Sequence, residues 1–199
     1  MQDPTFLLNR RAVVRELLRE RGEMLLVSGL GAAAWDVTAT GDHPLNFPLW
    51  GAMGGAAMLG LGLALAQPSR KVLVITGDGE MLMGMGSLAT IAVQRPHNLR
   101  IVILDNERYG ETGQQRTHTA SGTDLAAVAH ACGFPHVRTI RAENEIEGLR
   151  SGIQQMDDLF LAVVKVALTD DPLGLPPRDG AYLKNRIRSA ILGADSILR

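Results

Sequence analysis

Residues 71–80 of the chain read KVLVITGDGE, and residues 99–110 read LRIVILDNERYG. In each stretch a continuous apolar run, typical of a strand buried on both faces, ends in polar residues and glycine. Asn106 lies 28 positions after Asp78, which accommodates one strand–helix–strand unit with both residues at the same edge of a parallel sheet. Two oxygen ligands side by side at a sheet edge indicate a site for a hard divalent cation.

The segments on either side of these strands continue the alternation of strands and helices. This alternation predicts a three-layer α/β/α fold with a mostly parallel sheet. We expect one domain over residues 1–199, with a core at about 22–170 and a C-terminal docking segment at 171–199. The other predicted strands are residues 24–27, 137–140 and 159–168. The predicted helices are residues 6–21, 51–66, 81–94, 124–132, 143–156 and 182–192, and residues 42–50 and 111–123 are expected to be irregular.

Composition excludes several classes of function. With 20 basic and 21 acidic residues the net charge is −1, so the chain has no overall positive field for a nucleic acid or an anionic membrane. Residues 51–66 carry no charge, but a membrane span needs about 20 residues, so a buried helix is expected there. The single Cys132 excludes an internal disulfide and favours a cytoplasmic location. Residues 1–4 lack the layout of a signal peptide, so no leader is expected.

A glycine-rich stretch follows the strand at 24–27. Residues 28–34 read SGLGAAA, which contains the G-x-G-x-x-A pattern of dinucleotide-binding turns. The helix that follows can hardly extend past residues 40–44, and no second strand with an acidic residue comes at the expected distance. A plain tight turn and a phosphate contact to some other cofactor through the backbone amides both remain open.

The sequence resembles a known enzyme family at these motifs. Gly77-Asp78-Gly79, followed after 26 residues by Asn106, resembles the thiamine diphosphate motif of 2-oxoacid decarboxylases and their relatives. Residues 104–115, LDNERYGETGQQ, are similar to the sulfopyruvate and phosphonopyruvate decarboxylase group, and the segments PLNF at 44–47 and WGAMG at 50–54 agree with it. The likeness covers the diphosphate-binding half of such enzymes and is greatest to the beta subunit of sulfopyruvate decarboxylase.

The resemblance implies a set of cofactor contacts. Mg²⁺ would be coordinated by Asp78, Asn106 and the backbone carbonyl of Arg108. The carbonyl of Gly51 would accept a hydrogen bond from the aminopyrimidine, and Met53 would hold the cofactor's two rings in their bent shape. The other residues expected to contact the cofactor are Gly31, Gly77, Gly79, Glu80, Tyr109 and Gly110.

The loop after Asn106 is the expected place for the substrate. The resemblance places Glu111 and Thr112 near the reacting carbon, and His118 is a third candidate for the proton donor. Arg116, together with His118, is the candidate for binding the anionic tail of a small 2-oxoacid, although Arg116 could equally form only a surface ion pair.

The resemblance also implies a partner. In this family the glutamate that activates the aminopyrimidine belongs to a pyrimidine-binding domain, for which the chain has no room. We therefore expect an alpha-type partner subunit that supplies this glutamate, together with self-association of the chain.

Three functions stay open at this point. The first is the beta-type subunit of a 2-oxoacid decarboxylase, and the second is a subunit of a carboligase similar to acetolactate synthase. The third is a nucleotide-binding module without catalysis of its own.

Overall fold

The chain folds around one six-stranded sheet in which all strands are parallel. The computed structural model describes residues 6–198, so residues 1–5, including the segment without a signal-peptide layout, and Arg199 lie outside it. The strand order is β2-β1-β3-β4-β8-β7, and a separate antiparallel pair is formed by β5 and β6. The strands are β1 (Leu25–Ser28), β2 (Asn46–Pro48), β3 (Val72–Gly77), β4 (Leu99–Asp105), β5 (Arg108–Tyr109), β6 (Gln115–Arg116), β7 (His136–Ile140) and β8 (Phe160–Lys165).

Helices cover both faces of the sheet, and two apolar cores result. The helices are α1 (Arg10–Leu18), α2 (Ala32–Ala39), α3 (Ala56–Ala66), α4 (Asp78–Met83), α5 (Ser87–Gln94), α6 (Leu125–Ala131), α7 (Ile146–Gln155) and α8 (Gly180–Leu192). One core joins the sheet to α3, α5 and α6, and the other joins it to α1, α2 and α7. The predicted three-layer α/β/α fold with a parallel sheet is therefore confirmed.

The central strand β3 shows why continuous apolar runs were the informative signal. Val72 and Val74 face one core, while Leu73 and Ile75 face the other, and all four are fully buried. Each such side chain contributes about 1.5–3 kcal/mol of transfer free energy when it is buried. A strand with a polar face would lose half of this contribution, so β3 is stable only at the centre of a covered sheet.

The helix predicted over residues 6–21 is shorter in the structure, Arg10–Leu18, and two other predicted helices differ for a reason that the packing shows. The helix expected over residues 51–66 begins only at Ala56, because residues 51–55 form turns in which Gly54 has φ +88°. The helix expected over 81–94 is two helices, α4 and α5, interrupted at residues 84–86. At the interruption Gly84 packs against the 51–55 turn, since an added Cβ at Gly84 would lie 2.3 Å from the carbonyl oxygen of Gly54. Both differences thus arise from one close backbone contact.

Two segments expected to be irregular contain short strands. Residues 46–48 form β2, which pairs with β1 at one edge of the sheet, and Pro48 is tolerated there because an edge strand has an unpaired side. Residues 115 and 116 form β6, and a 3₁₀ helix follows at His118–Ser121. These short elements give the loop that borders the candidate site a defined conformation.

The C-terminal segment lies against the β2 edge of the sheet. Trp50 donates its indole N–H to the carbonyl of Pro177 at 2.7 Å, and Arg186 on α8 binds the side chain of Asp42 and the carbonyl of Asn46. Within residues 6–198 no helix combines the length and the apolar character that crossing a membrane requires.

Candidate active site

The register of β3 and β4 brings the two predicted metal ligands together. Gly77 pairs with Leu104, so Asp78 and Asn106 emerge just beyond the carboxyl ends of adjacent parallel strands. A cavity of about 500 Å³ lies at this edge of the sheet. The predicted site residues that line it are Gly31, Met53, Gly77, Asp78, Gly79, Glu80, Asn106, Arg108, Tyr109, Gly110, Glu111 and Thr112.

Three predicted site residues do not line this cavity. Gly51 is exposed in the turn before α3. Arg116 is exposed on β6, where its guanidinium donates to the carbonyl of Ala120 at 3.0 Å, and His118 is exposed in the 3₁₀ helix that follows. The loop that carries Arg116 and His118 borders the cavity through Glu111 and Thr112.

Asp78 is a buried carboxylate in an environment that disfavours its negative charge. Only 2% of the residue is exposed, and the hydroxyls of Thr117 and Thr119 lie 2.6 and 3.2 Å from its Oδ2. Burial, followed by the negative charge of Asp105, raises the pKa of Asp78 to about 6, although the hydroxyl hydrogen bonds lower it. A cation at this position would remove the cost of the buried charge, so the donor chemistry fits a divalent metal.

Asn106 begins a tight turn at the end of β4. Its Oδ1 accepts a hydrogen bond from the backbone N–H of Arg108 at 3.0 Å, and Asp105 Oδ1 accepts one from the backbone N–H of Glu107 at 3.1 Å. Glu107 adopts φ +62°, which these two side-chain caps support. The turn directs the chain into β5 and back along the cavity, so Arg108, Tyr109 and the following residues form one of its walls.

Glu80 connects four separate segments around the cavity. Its carboxylate accepts hydrogen bonds from the hydroxyl of Thr76 at 2.9 Å and from the backbone N–H of Ala56 at 3.3 Å. The backbone amides of Leu30 and Gly54 donate to it as well. Burial raises the pKa of Glu80, and these hydrogen bonds oppose that rise. The end of β3, the turn after β1, the 51–55 turn and the start of α3 are thereby held together by one side chain.

The contact with Glu80 explains the glycine-rich stretch at 28–34. An added Cβ at Gly29 would lie 1.7 Å from Glu80 Oε2, so only glycine fits there. The glycine is required by a carboxylate of the same chain, which favours the tight-turn interpretation over a dinucleotide fingerprint. Gly31, two positions later, does line the cavity and adopts φ +75°.

The sequence interpretation missed a buried ion-pair network beneath the site. Lys165 Nζ lies 2.7 Å from Asp105 Oδ2 and 3.0 Å from Glu107 Oε1. Burial works against the charged form of Lys165, but the hydrogen bonds and charges of the two carboxylates outweigh it and raise the pKa of the ammonium group. The sequence did contain a signal for this network. Lys165 ends the apolar run FLAVVK, residues 160–165, and a charge at the end of a buried strand needs a partner of opposite charge.

The wall of the cavity opposite the turn was also missed. It includes Trp35 on α2 and Arg10 on α1, whose guanidinium forms a buried ion pair with Asp36. Residues 168–171 and Leu173, which follow β8, complete this wall. No short motif marks these residues, since they reach the cavity only through the packing of α1 and α2 on the sheet.

Comparison with known proteins agrees with this geometry. Residues 29–163 match the family described as thiamine pyrophosphate enzyme, C-terminal TPP binding domain. Sulfopyruvate decarboxylase subunit beta from Methanocaldococcus jannaschii is 41% identical over 128 residues, which cover 64% of this chain and 68% of that subunit. Phosphonopyruvate decarboxylase from Streptomyces hygroscopicus is 40% identical over 158 residues, which cover 78% of this chain and 36% of that protein.

A solved structure shares the fold. The benzoylformate decarboxylase of Polynucleobacter necessarius superimposes with a TM-score of 0.71 at 20% sequence identity, over 87% of this chain and 36% of that one. The chain therefore spans about two thirds of the length of the sulfopyruvate decarboxylase subunit, but only about a third of the phosphonopyruvate and benzoylformate decarboxylases.

Proposed function

Because the chain belongs to the thiamine pyrophosphate enzymes through their C-terminal TPP binding domain, we propose that it binds the diphosphate end of thiamine diphosphate together with Mg²⁺. The observation that carries the proposal is the pairing of Asp78 and Asn106 at adjacent strand ends over one cavity. A diphosphate beside the buried Asp78 carboxylate would be repelled unless a cation neutralised both groups. Mg²⁺ fits because it prefers carboxylate, amide and phosphate oxygens.

The residues around the cavity have distinct proposed roles. Asp78, Asn106 and the carbonyl of Arg108 hold the metal, and the turns at Gly31 and Gly77 to Gly79 bring backbone amides close to the diphosphate. Tyr109 and Gly110 form the wall next to these turns. Glu80 contributes by holding the turns in place through its four hydrogen bonds.

The aminopyrimidine end of the cofactor is assigned to the open side of the cavity. Met53 lines the cavity and is 38% exposed, so its flexible thioether can pack against the cofactor rings from the 51–55 turn. Gly51, exposed in the same turn, offers its carbonyl to the aminopyrimidine. In this proposal a second subunit closes over the cofactor beside these two residues.

The reaction proposed for the assembled enzyme is the decarboxylation of a small anionic 2-oxoacid such as sulfopyruvate or phosphonopyruvate. Relatives about 40% identical carry the names of these two decarboxylases. Thiamine diphosphate, when bound, supplies the carbon nucleophile and the electron sink for this chemistry. We assign the task of holding or transferring a proton to Glu111 and Thr112, which are exposed at the cavity. Arg116 and His118, which are exposed and do not line the cavity, are assigned to the anionic tail at a surface that the partner subunit completes.

A partner subunit is part of the proposal. Two glutamates line the cavity among the residues that the structure describes, Glu80 and Glu111. Glu80 already accepts hydrogen bonds from four protein groups, and Glu111 is assigned the proton at the reacting carbon, so the aminopyrimidine is left to another glutamate. We assign the activating glutamate to a pyrimidine-binding alpha-type subunit, in keeping with relatives named subunit beta.

Self-association of the chain is part of the same proposal. Met58, Leu59 and Leu65 on α3 are 39–50% exposed, and Met83 on α4 is 65% exposed. An uncharged helix surface of this kind can pack against its own copy without burying a charge.

The single cysteine, Cys132, supports a cytoplasmic location for the assembly.

The proposal is tested by reconstitution. The purified chain with thiamine diphosphate and Mg²⁺ is assayed on sulfopyruvate, phosphonopyruvate and pyruvate, with and without a pyrimidine-binding subunit. We expect CO₂ release only with the partner present, and none when the chain carries Asp78→Ala. Turnover at enzymatic rates by the chain alone would contradict the shared active site. A product that joins two 2-oxoacids, in place of an aldehyde, would identify a carboligase instead.

A further inference from the structure

Two threonine hydroxyls hold the Asp78 carboxylate from the segment that follows β6. Thr117 Oγ1 donates to Asp78 Oδ2 at 2.6 Å, and Thr119 Oγ1 lies 3.2 Å from the same oxygen. Thr117 is 2% exposed and Thr119 is 7% exposed, so water does not compete strongly for these contacts. Both hydroxyls approach the same carboxylate oxygen, Oδ2, and neither bonds to Oδ1.

Each threonine hydroxyl can donate one hydrogen bond, so Thr117 and Thr119 hold different carboxylates. Thr119 Oγ1 also lies 2.9 Å from Asp105 Oδ1 and 2.8 Å from Thr117 Oγ1. Each hydroxyl has a single proton, so two protons serve three carboxylate contacts. The two shortest of the three contacts are both made when Thr117 donates to Asp78 and Thr119 donates to Asp105. Asp105 is itself fixed by Lys165 at 2.7 Å, so Thr119 is anchored to a rigid ion pair.

From this arrangement we infer that Thr117 is a positioning residue for Asp78. It fixes the rotation of the carboxylate and so presents that group to the cation that the proposed function places at the end of β3. The inference rests on that proposed function, because the task of Thr117 is defined by a metal at Asp78. Hydrogen bonds to a metal-binding carboxylate commonly change metal affinity by about 10- to 100-fold.

Thr117 also ties the substrate loop to the metal site, through its backbone. The backbone N–H of Thr117 donates to the carbonyl of Glu107 at 3.0 Å, and the residues on either side of Thr117 are Arg116 and His118. A single residue therefore sets the position of the metal ligand Asp78 and of the loop that carries two substrate candidates. Loss of the hydroxyl is expected to free the Asp78 carboxylate, whereas the backbone hydrogen bond to Glu107 remains.

The test compares three substitutions of Thr117 in the full chain. Mg²⁺ is titrated in saturating thiamine diphosphate, and binding is followed by thermal shift and by the fluorescence of the two tryptophans, of which Trp35 lines the cavity. Thr117→Val keeps the shape but removes the hydroxyl, and we expect the Mg²⁺ midpoint to rise at least about tenfold. Thr117→Ser keeps the hydroxyl and is expected to stay within about twofold of the wild type. Thr117→Ala repeats the loss of the hydroxyl if the valine variant fails to fold.

A control substitution and two different negative results separate the positioning role of Thr117 from the proposed function. Thr90→Val makes the same change on the exposed side of α5 and is expected to leave the midpoint unchanged. If the wild type responds to Mg²⁺ and Thr117→Val has the same midpoint, or Thr117→Ser is as weak as Thr117→Val, the positioning role is overturned. If the wild type itself shows no response that depends on Mg²⁺, the proposed function fails first.

Discussion

Replacing Asp78 by asparagine should stabilise the chain in the absence of metal, although it removes the central ligand of the proposed site. Burial and the charge of Asp105 raise the pKa of Asp78 from 3.8 to about 6. The folded chain therefore binds this proton more tightly than the unfolded chain does. The resulting loss of stability is absent below pH 4, develops between about pH 4 and pH 6, and is complete above pH 6.

The size of the effect follows from the shift in pKa. A rise from 3.8 to about 6 corresponds to about 3 kcal/mol of unfolding free energy at pH 7, which is the most that Asp78→Asn can recover. The side-chain amide keeps an oxygen that can accept from Thr117, so the hydroxyl contact need not be lost. Asparagine thus removes the charge with little change in shape.

Urea unfolding of the wild type and of Asp78→Asn at pH 7 and at pH 4.5, without metal, measures this effect. The variant should be more stable by about 1–3 kcal/mol at pH 7, and the gap should shrink towards pH 4.5. With Mg²⁺ and thiamine diphosphate the order should reverse, because only the wild type gains from the ligand. Asp157→Asn, at a side chain that is 86% exposed, is the control. A variant that is less stable at pH 7, or a gap that does not change with pH, would refute the reasoning.

Three further substitutions test packing at the site and elsewhere in the fold. Gly29→Ala puts a Cβ 1.7 Å from Glu80 Oε2 and should lower the free energy of unfolding, measured by chemical denaturation, by at least about 2 kcal/mol. A decrease below about 0.5 kcal/mol would contradict this contact. Arg100→Met leaves three backbone carbonyls without their buried donor and should cost about 3 kcal/mol. Arg138→Met, at an exposed position of β7, should cost almost nothing. Gly62→Ala, with nothing near the added Cβ on α3, should raise the melting temperature through about 0.5–1 kcal/mol of helix propensity, and a lower melting temperature would indicate a hidden contact.

The sequence predicted the fold best where a continuous apolar run forms a strand that is buried on both faces. The continuous apolar runs that became β3 and β4 predicted strands covered on both faces, and their register places Asp78 and Asn106 at adjacent strand ends. The loop from Tyr109 to Thr112 could be placed at the cavity for the same reason, since the chain leaves a parallel sheet at this edge.

The features that could not be predicted depend on contacts between distant parts of the chain. The break between α4 and α5 arises where Gly84 meets Gly54, thirty positions earlier, and no local pattern reveals that contact. The hydroxyl of Thr117 reaches Asp78 only after the β5–β6 turn folds back over the sheet. β2 was hidden because prolines near it suggested an irregular segment, whereas an edge strand tolerates them.

The most direct test of the proposed cofactor site is a calorimetric titration of thiamine diphosphate into the purified chain, with and without Mg²⁺. The wild type should bind the cofactor only when Mg²⁺ is present, and Asp78→Ala and Asn106→Ala should each weaken that binding about tenfold or more. Binding that needs no divalent cation, or that persists unchanged in both variants, would contradict a metal-bridged diphosphate at the ends of β3 and β4.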